Sequence, residues 1–158
     1  MVRHSPVPVL TVKTKSVTTL RNPLIASSFE PEVVPTFDDF VQLMANWNTV
    51  IHLAYMNVIF HPRDSKRAHA LMDAFMARHP SINFSKNIVD TNDVESGIHE
   101  FADEIGAGVV CVSMDDDFNQ NLLFVDPIAE QLVNHEQVPV MVVQTSRSER
   151  GYRTVTAS

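Results

Sequence analysis

Stretches rich in β-branched and other apolar residues alternate with amphipathic stretches along most of this chain. The stretches predicted to form strands are 23–27, 49–58, 82–89, 108–112 and 138–143, of which 23–27 and 108–112 have the apolar composition of buried strands. Between them, apolar residues recur at helical spacing in 37–44, 67–78, 92–105 and 122–135. Strands that alternate with helices predict right-handed crossovers and a parallel sheet covered on both faces. The expected fold is therefore α/β, a doubly wound parallel five-stranded sheet flanked by helices.

Three residues mark where the predicted helices begin and end. Thr36 is a suitable N-cap for the first helix. Gly106 stands where the third helix should stop, since glycine accepts the left-handed conformation of a helix end. Trp47, at the end of the first helix, is expected to close the core instead of stacking on a ligand.

Length and charge narrow the classes of protein that the chain can belong to. Its 158 residues suit one domain, and its net charge of −7 argues against binding to a nucleic-acid backbone. The lone Cys111 cannot form an internal disulfide, which favours a reducing compartment. No membrane span or signal peptide is recognisable, because the apolar start is short and contains Pro6 and Pro8. We expect a cytoplasmic protein that binds neither nucleic acid nor membrane.

A short phrase occurs twice, at residues 2–14 and again at residues 133–145. Both copies share valine, histidine, a Val-Pro-Val core, a later valine and a threonine in the same register. We interpret 1–14 as the remnant last strand of a preceding repeat unit, followed by a linker at 15–21, a complete domain at 22–145 and a flexible tail at 146–158. The repeat has two possible origins, a natural N-terminal strand or truncation of a tandem protein, and the sequence does not separate them.

Three segments resemble the universal stress protein family. Residues 98–112 resemble its third helix and fourth strand, which often read "I..YA.E.GADLIVM", and both repeat copies resemble its closing phrase "RHSPVPVLVV". Residues 23–29 resemble its opening strand and loop. The resemblance implies an adenine nucleotide alpha hydrolase-like fold and a role in stress response.

The same resemblance implies a nucleotide site, which this chain lacks in its usual form. ATP-binding members carry Gly-x2-Gly-x9-Gly-Ser/Thr after the fourth strand, and the matching positions here are Ser113, Asp116, Asp126 and Pro127. The family's aspartate in the first-strand loop is matched by Ser28. We therefore expect a degenerate nucleotide site and no cofactor. The alternative is an ATP-binding or weakly ATP-hydrolysing member that uses a rearranged, magnesium-assisted loop.

The acidic run at residues 115–117 would place negative charge beside a polyphosphate. It lacks the spaced ligands of a calcium loop, so a solvated surface turn is the favoured interpretation over a metal site. The seven histidines form no compact ligand motif, and no nucleophile with an orienting base can be recognised. We expect no catalytic residues, no bound metal and no enzymatic activity.

The last strand is apolar, and an uncovered apolar edge invites uncontrolled pairing. The resemblance implies that this strand pairs with its counterpart in a homodimer or a tandem-domain partner. We expect residues 7–13 to form an extra N-terminal strand that lies antiparallel at the edge of the sheet and pairs with residues 138–143, either within one chain or between two. The valines expected to take part are Val7, Val9, Val12, Val138, Val140 and Val142. The function expected is a stress-linked binding or regulatory one through dimerisation or protein association, or a structural half of a tandem protein.

Overall fold

The computed structural model describes residues 9–11, 21–59, 64–116 and 138–144. Its strands are β1 (Val9–Thr11), β2 (Leu24–Ala26), β3 (Ile51–Val58), β4 (Phe84–Thr91), β5 (Val110–Ser113) and β6 (Val140–Val143). Its α-helices are α1 (Asp38–Ala45), α2 (Ser65–Ala77) and α3 (Val94–Ile105). A short 3-10 helix, Val34–Phe37, precedes α1. The helix expected at 122–135 lies outside the described residues.

The strands form one sheet in the order β1-β6-β5-β2-β3-β4. The five strands from β2 to β6 are all parallel, which confirms the predicted doubly wound sheet. At one edge β1 pairs antiparallel with β6, with Val9 opposite Val142 and Thr11 opposite Val140. The other edge is β4.

Successive strand residues point to opposite faces of the sheet, so each strand contributes to two cores. On one face Ile25, Leu53 and Cys111 join the side chains of α1 and α2 in a single buried cluster. On the other face Leu24 and Val110 join the buried residues of α3. The nearly unbroken apolar sequences of β2, β5 and β6 reflect this burial on both faces, whereas the edge strand β4 is mostly half-buried.

Helix α3 begins and ends as its sequence predicts. The Asp93 carboxylate caps its first turn by accepting from the Ser96 backbone N–H at 3.0 Å. Gly106 ends it at a φ of 63°, in the left-handed conformation that glycine adopts at little cost. Gly97 faces the end of β4, where an added Cβ would lie 2.8 Å from the Thr91 Cβ. This close approach fixes how α3 packs on the sheet.

Two expectations about the first helix are wrong. Thr36 is not the N-cap of α1, because it lies within the 3-10 helix and its hydroxyl donates to the Val33 carbonyl at 2.6 Å. Trp47 does not close the core: it is 47% exposed in the turn after α1, and the interior is filled by residues such as Phe37 and Phe40. None of the helices in the described segments has both the length and the apolar character needed to cross a bilayer.

Candidate functional site

Two loops meet at the carboxyl ends of the central strands β2 and β5. From β2 the chain continues to β3 on one side, whereas β5 lies on the other side and continues to β6, so the strand order reverses between β2 and β5. Open α/β sheets bind ligands at this position, outside the carboxyl ends of the strands. The loop after β2 begins with Ser27 and Ser28, and the loop after β5 contains Asp116.

The Asp116 carboxylate lies between these loops and is fully buried. Ser27 Oγ donates a hydrogen bond to Asp116 Oδ2 at 2.5 Å. The Ser28 backbone N–H donates to both oxygens, at 3.0 Å to Oδ2 and 3.3 Å to Oδ1. Hydrogen bonds to an ionised carboxylate are roughly twice as strong as neutral ones. The loop after β2 therefore binds a carboxyl group that belongs to the chain itself.

The conformation of the loop after β2 is held by contacts with β3 and with the buried Phe75. Ser27 Oγ also accepts from the Phe29 backbone N–H at 2.9 Å, and the Ser27 N–H donates to the Ala54 carbonyl of β3 at 3.2 Å. Phe29 has a φ of 56°, which is unusual for a bulky residue and persists only where the surroundings impose it. Its buried ring packs edge-on against Phe75, with the ring centroids 5.4 Å apart.

A second set of contacts joins the loop after β5 to the segment before α1. Ser113 Oγ lies 3.0 Å from Thr36 Oγ1 and accepts from the Asp115 backbone N–H at 3.1 Å. The Asp116 backbone N–H donates to the Ser113 carbonyl at 3.2 Å. The backbone N–H groups of Asp115 and Asp116 are thus bound within the loop itself.

The charges around this crevice are predominantly negative. Asp115 is half-buried beside Asp116. Glu30 is paired with Arg67, whose guanidinium lies 2.7 Å from the carboxylate. A phosphate close to the carboxylate of Asp115 or Asp116 would be repelled by about 1 to 4 kcal/mol, for effective dielectric constants between 80 and 20 at about 4 Å.

The described segments contain no group of three or more His, Cys, Asp or Glu side chains placed to hold a metal ion. Cys111 is a free thiol in the core, where burial raises its pKa well above the ordinary value and keeps it protonated. The crevice does offer hydroxyl and backbone N–H donors that can bind an oxyanion.

The structure brings together three of the five residues expected at a degenerate nucleotide site. Ser28, Ser113 and Asp116 meet at the crevice, whereas Asp126 and Pro127 lie outside the described residues. The expectation that the acidic run forms a solvated turn is wrong for Asp116, because the donors of Ser27 and Ser28 hold its carboxylate in the interior.

Sequence reasoning did not place Ser27 or Thr36 at the crevice. It selected Ser28 because this position matches the family's aspartate, but the Ser28 contact to Asp116 comes from the backbone, and the contributing hydroxyl is that of Ser27. The available signal was the position of Ser27, directly after a buried strand next to the point where the strand order reverses.

The valines expected at the sheet edge are only partly described. Val9 lies in β1, opposite Val142 of β6. Val140 and Val142 are buried, and Val138 is half-buried just before β6. Val7 and Val12 lie outside the described residues.

Several solved universal stress proteins have the same arrangement of strands and helices. A universal stress protein in complex with cAMP is 13% identical with a TM-score of 0.65, and the match covers 81% of this chain and 100% of that one. A universal stress protein from Archaeoglobus fulgidus DSM 4304 is 14% identical with a TM-score of 0.70, over 92% of this chain and 52% of that one, so this chain spans about half of it. A protein from the universal stress protein family from Burkholderia pseudomallei is 17% identical with a TM-score of 0.60, over 78% and 96%. No family model and no curated protein matches the sequence. The chain therefore has the fold of the universal stress proteins.

Proposed function

We propose that this chain is a universal stress protein-like binding and regulatory domain whose nucleotide site is closed and which acts through association with another protein. The observation that carries the proposal is the Asp116 carboxylate, held between Ser27 Oγ and the Ser28 N–H at the position where the fold binds ligands. A nucleotide would have to displace this carboxylate before using the same donors. We therefore assign the chain a regulatory role and not a catalytic one.

Displacing the carboxylate would be costly. Each hydrogen bond to a charged group contributes about 1.5 to 3 kcal/mol, and an uncompensated carboxylate in the interior costs more. Asp116 is also part of the chain, so its local concentration does not fall on dilution. An external phosphate would compete against a tethered anion that has already been desolvated.

The backbone after β5 also disfavours a bound phosphate. Glycine-rich loops bind phosphate through free backbone N–H groups that approach it closely. Here the N–H groups of Asp115 and Asp116 donate to the hydroxyl and carbonyl of Ser113. Residues 113–116 include no glycine, so side chains project from every position of the loop.

Calorimetric titration of the full chain with ATP, AMP and cAMP, with and without Mg²⁺, tests the closed site. The expected result is no saturable heat at millimolar nucleotide. The universal stress protein solved with cAMP is the matched positive control in the same buffer. Saturable binding near one nucleotide per chain would contradict the proposal and support an ATP-binding function.

The association that we propose uses the β6 edge of the sheet. Residues 9–11 pair with this edge in place of a neighbour's strand, and the repeat at 2–14 and 133–145 supports their origin as the last strand of a preceding unit. The last residue of β1 and the first residue of β2 lie at the same end of the sheet, three strand spacings or about 15 Å apart. The intervening segment 12–23 can extend to about 40 Å. Pairing within one chain therefore needs no strain, and exchange with a second copy reproduces the same contacts.

Thr11→Pro tests the association. Thr11 is paired with Val140, whose backbone groups face β1, so a proline there removes an N–H that faces β6 and should uncover this edge. We expect its light-scattering mass at micromolar concentration to rise if β1 pairs within one chain and to fall if β1 is exchanged between two, and the Val140 amide to exchange faster. Unchanged mass together with unchanged exchange would contradict a role for this edge.

A cytoplasmic location is part of the proposal. It is supported by the single cysteine, Cys111, which is buried and free.

A further inference from the structure

We propose that the Ser27–Ser28 turn is an oxyanion-binding site whose built-in ligand is the Asp116 carboxylate. The inference rests on the proposed closed site and specifies the chemical class of ligand that the turn recognises. A small free carboxylate should bind there once the side chain of Asp116 is shortened.

The donors of the turn converge on one anionic group. Ser27 Oγ and the Ser28 N–H approach Asp116 Oδ2 at 2.5 and 3.0 Å, and the same N–H reaches Oδ1 at 3.3 Å. None of these donors depends on how the carboxylate is connected to the chain. A free carboxylate in the same position would accept the same hydrogen bonds.

The turn is held by contacts that do not involve Asp116. The Ser27 N–H is bonded to Ala54 of β3, and Ser27 Oγ is bonded to the Phe29 N–H. Phe29 is in turn buried against Phe75. The donors should therefore keep their positions when the carboxylate is removed, and a preformed site binds without a large ordering cost.

The space available defines the size of the ligand. Asp116 is fully buried, so Asp116→Ala vacates little more than the volume of one carboxylate group. Formate has this size, whereas acetate adds a methyl group and phosphate is larger in every direction. We therefore expect formate to bind best among these three anions.

Thermal unfolding of the full chain in sodium formate, compared with sodium chloride at equal ionic strength, tests the site. The Tm of Asp116→Ala should be lower than that of the unsubstituted chain in chloride and should rise saturably with formate. Formate at about five times its dissociation constant should raise the Tm by about 2 to 4 °C.

Two controls separate site binding from a general salt effect. The unsubstituted chain should not respond to formate, because its own carboxylate fills the site. Asp116→Asn retains the volume of the side chain, so it should be destabilised without being rescued. An equal response in all three proteins would overturn the proposal, and so would an Asp116→Ala variant that is fully stable in chloride or indifferent to formate.

If Asp116→Ala does not fold in chloride, the measurement becomes the yield of folded protein on refolding. A yield that rises with formate but not with chloride supports the site, and failure in both salts overturns it. The two proposals can fail independently. Nucleotide binding by the unsubstituted chain would refute the closed nucleotide site, whereas an Asp116→Ala variant that does not respond to formate would refute only the oxyanion site.

Discussion

Ser27 and Ser28 are neighbouring buried serines whose replacement by alanine should have very different costs. Ser27 Oγ donates to the Asp116 carboxylate at 2.5 Å and accepts from the Phe29 N–H at 2.9 Å. Ser27→Ala removes a bond to a charged acceptor, about 1.5 to 3 kcal/mol, and leaves a buried N–H without its acceptor, about 1 to 3 kcal/mol. Because both losses come from one atom and the loop can relax, we expect a total of about 3 to 4 kcal/mol.

Ser28→Ala is the matched control. The Ser28 hydroxyl accepts one long hydrogen bond, 3.5 Å from the Glu30 N–H, and alanine retains the backbone N–H that binds Asp116. Its cost should stay below about 1 kcal/mol. Urea unfolding at neutral pH measures both free energies of unfolding, provided that the m-values agree. A Ser28→Ala cost equal to or above that of Ser27→Ala would refute the assignment of the contacts.

A double-mutant cycle isolates the pair. If Ser27 acts mainly through Asp116, the cost of Ser27→Ala should be smaller when Asp116 is already alanine. The coupling between two groups in direct hydrogen-bonded contact is about 0.5 to 3 kcal/mol. Additive costs in the double variant would mean that the two side chains do not interact.

Three further predictions concern the scaffold around the site. Gly97→Ala should destabilise the protein by about 1 kcal/mol in thermal unfolding, because a Cβ placed 2.8 Å from the Thr91 Cβ overpacks the α3 contact by more than the gain in helix propensity, and a stabilised variant would contradict the close approach. Burial lowers the pKa of His52 below 6.5, so the unfolded chain binds the proton first as the pH falls, and the free energy of unfolding should decrease from about pH 6.5 downwards until the folded pKa is passed. His52→Gln should make this slope shallower in urea titrations at successive pH values, and an identical slope would show that His52 does not contribute. Cys111, whose pKa is raised by burial, should react with Ellman's reagent only when the protein unfolds, and reaction at the rate of an exposed thiol would contradict its burial.

The fold follows from features that are local in sequence. Apolar runs that are buried on both faces predict β2, β5 and β6, and the apolar stripe of α3 together with Gly106 predicts the end of that helix. A parallel sheet then follows from the alternation of strands and helices, because connections of this kind have one preferred hand. These are the features on which local propensity and global packing agree.

The chemistry at the crevice depends on contacts that are distant in sequence. Asp116 and Ser27 are 89 positions apart, and no local pattern shows that one buries the other. An aspartate in an acidic run is usually exposed, so the sequence predicts a solvated turn, and only the donors of Ser27 and Ser28 explain why Asp116 is buried. Ser28 contributes through its backbone, which no side-chain pattern reveals. Trp47 was misplaced for a similar reason, since helical spacing does not specify where the core ends.

The most direct test of the closed crevice is a ¹H–¹⁵N NMR titration of the full chain with Mg²⁺ and ATP that follows the Ser28 and Phe29 amides. Both amides are buried donors, to Asp116 and to Ser27 Oγ respectively. The account predicts that both signals keep their positions and exchange slowly with solvent up to millimolar nucleotide. Saturable movement of the two signals, with faster exchange as Asp116 leaves, would contradict it.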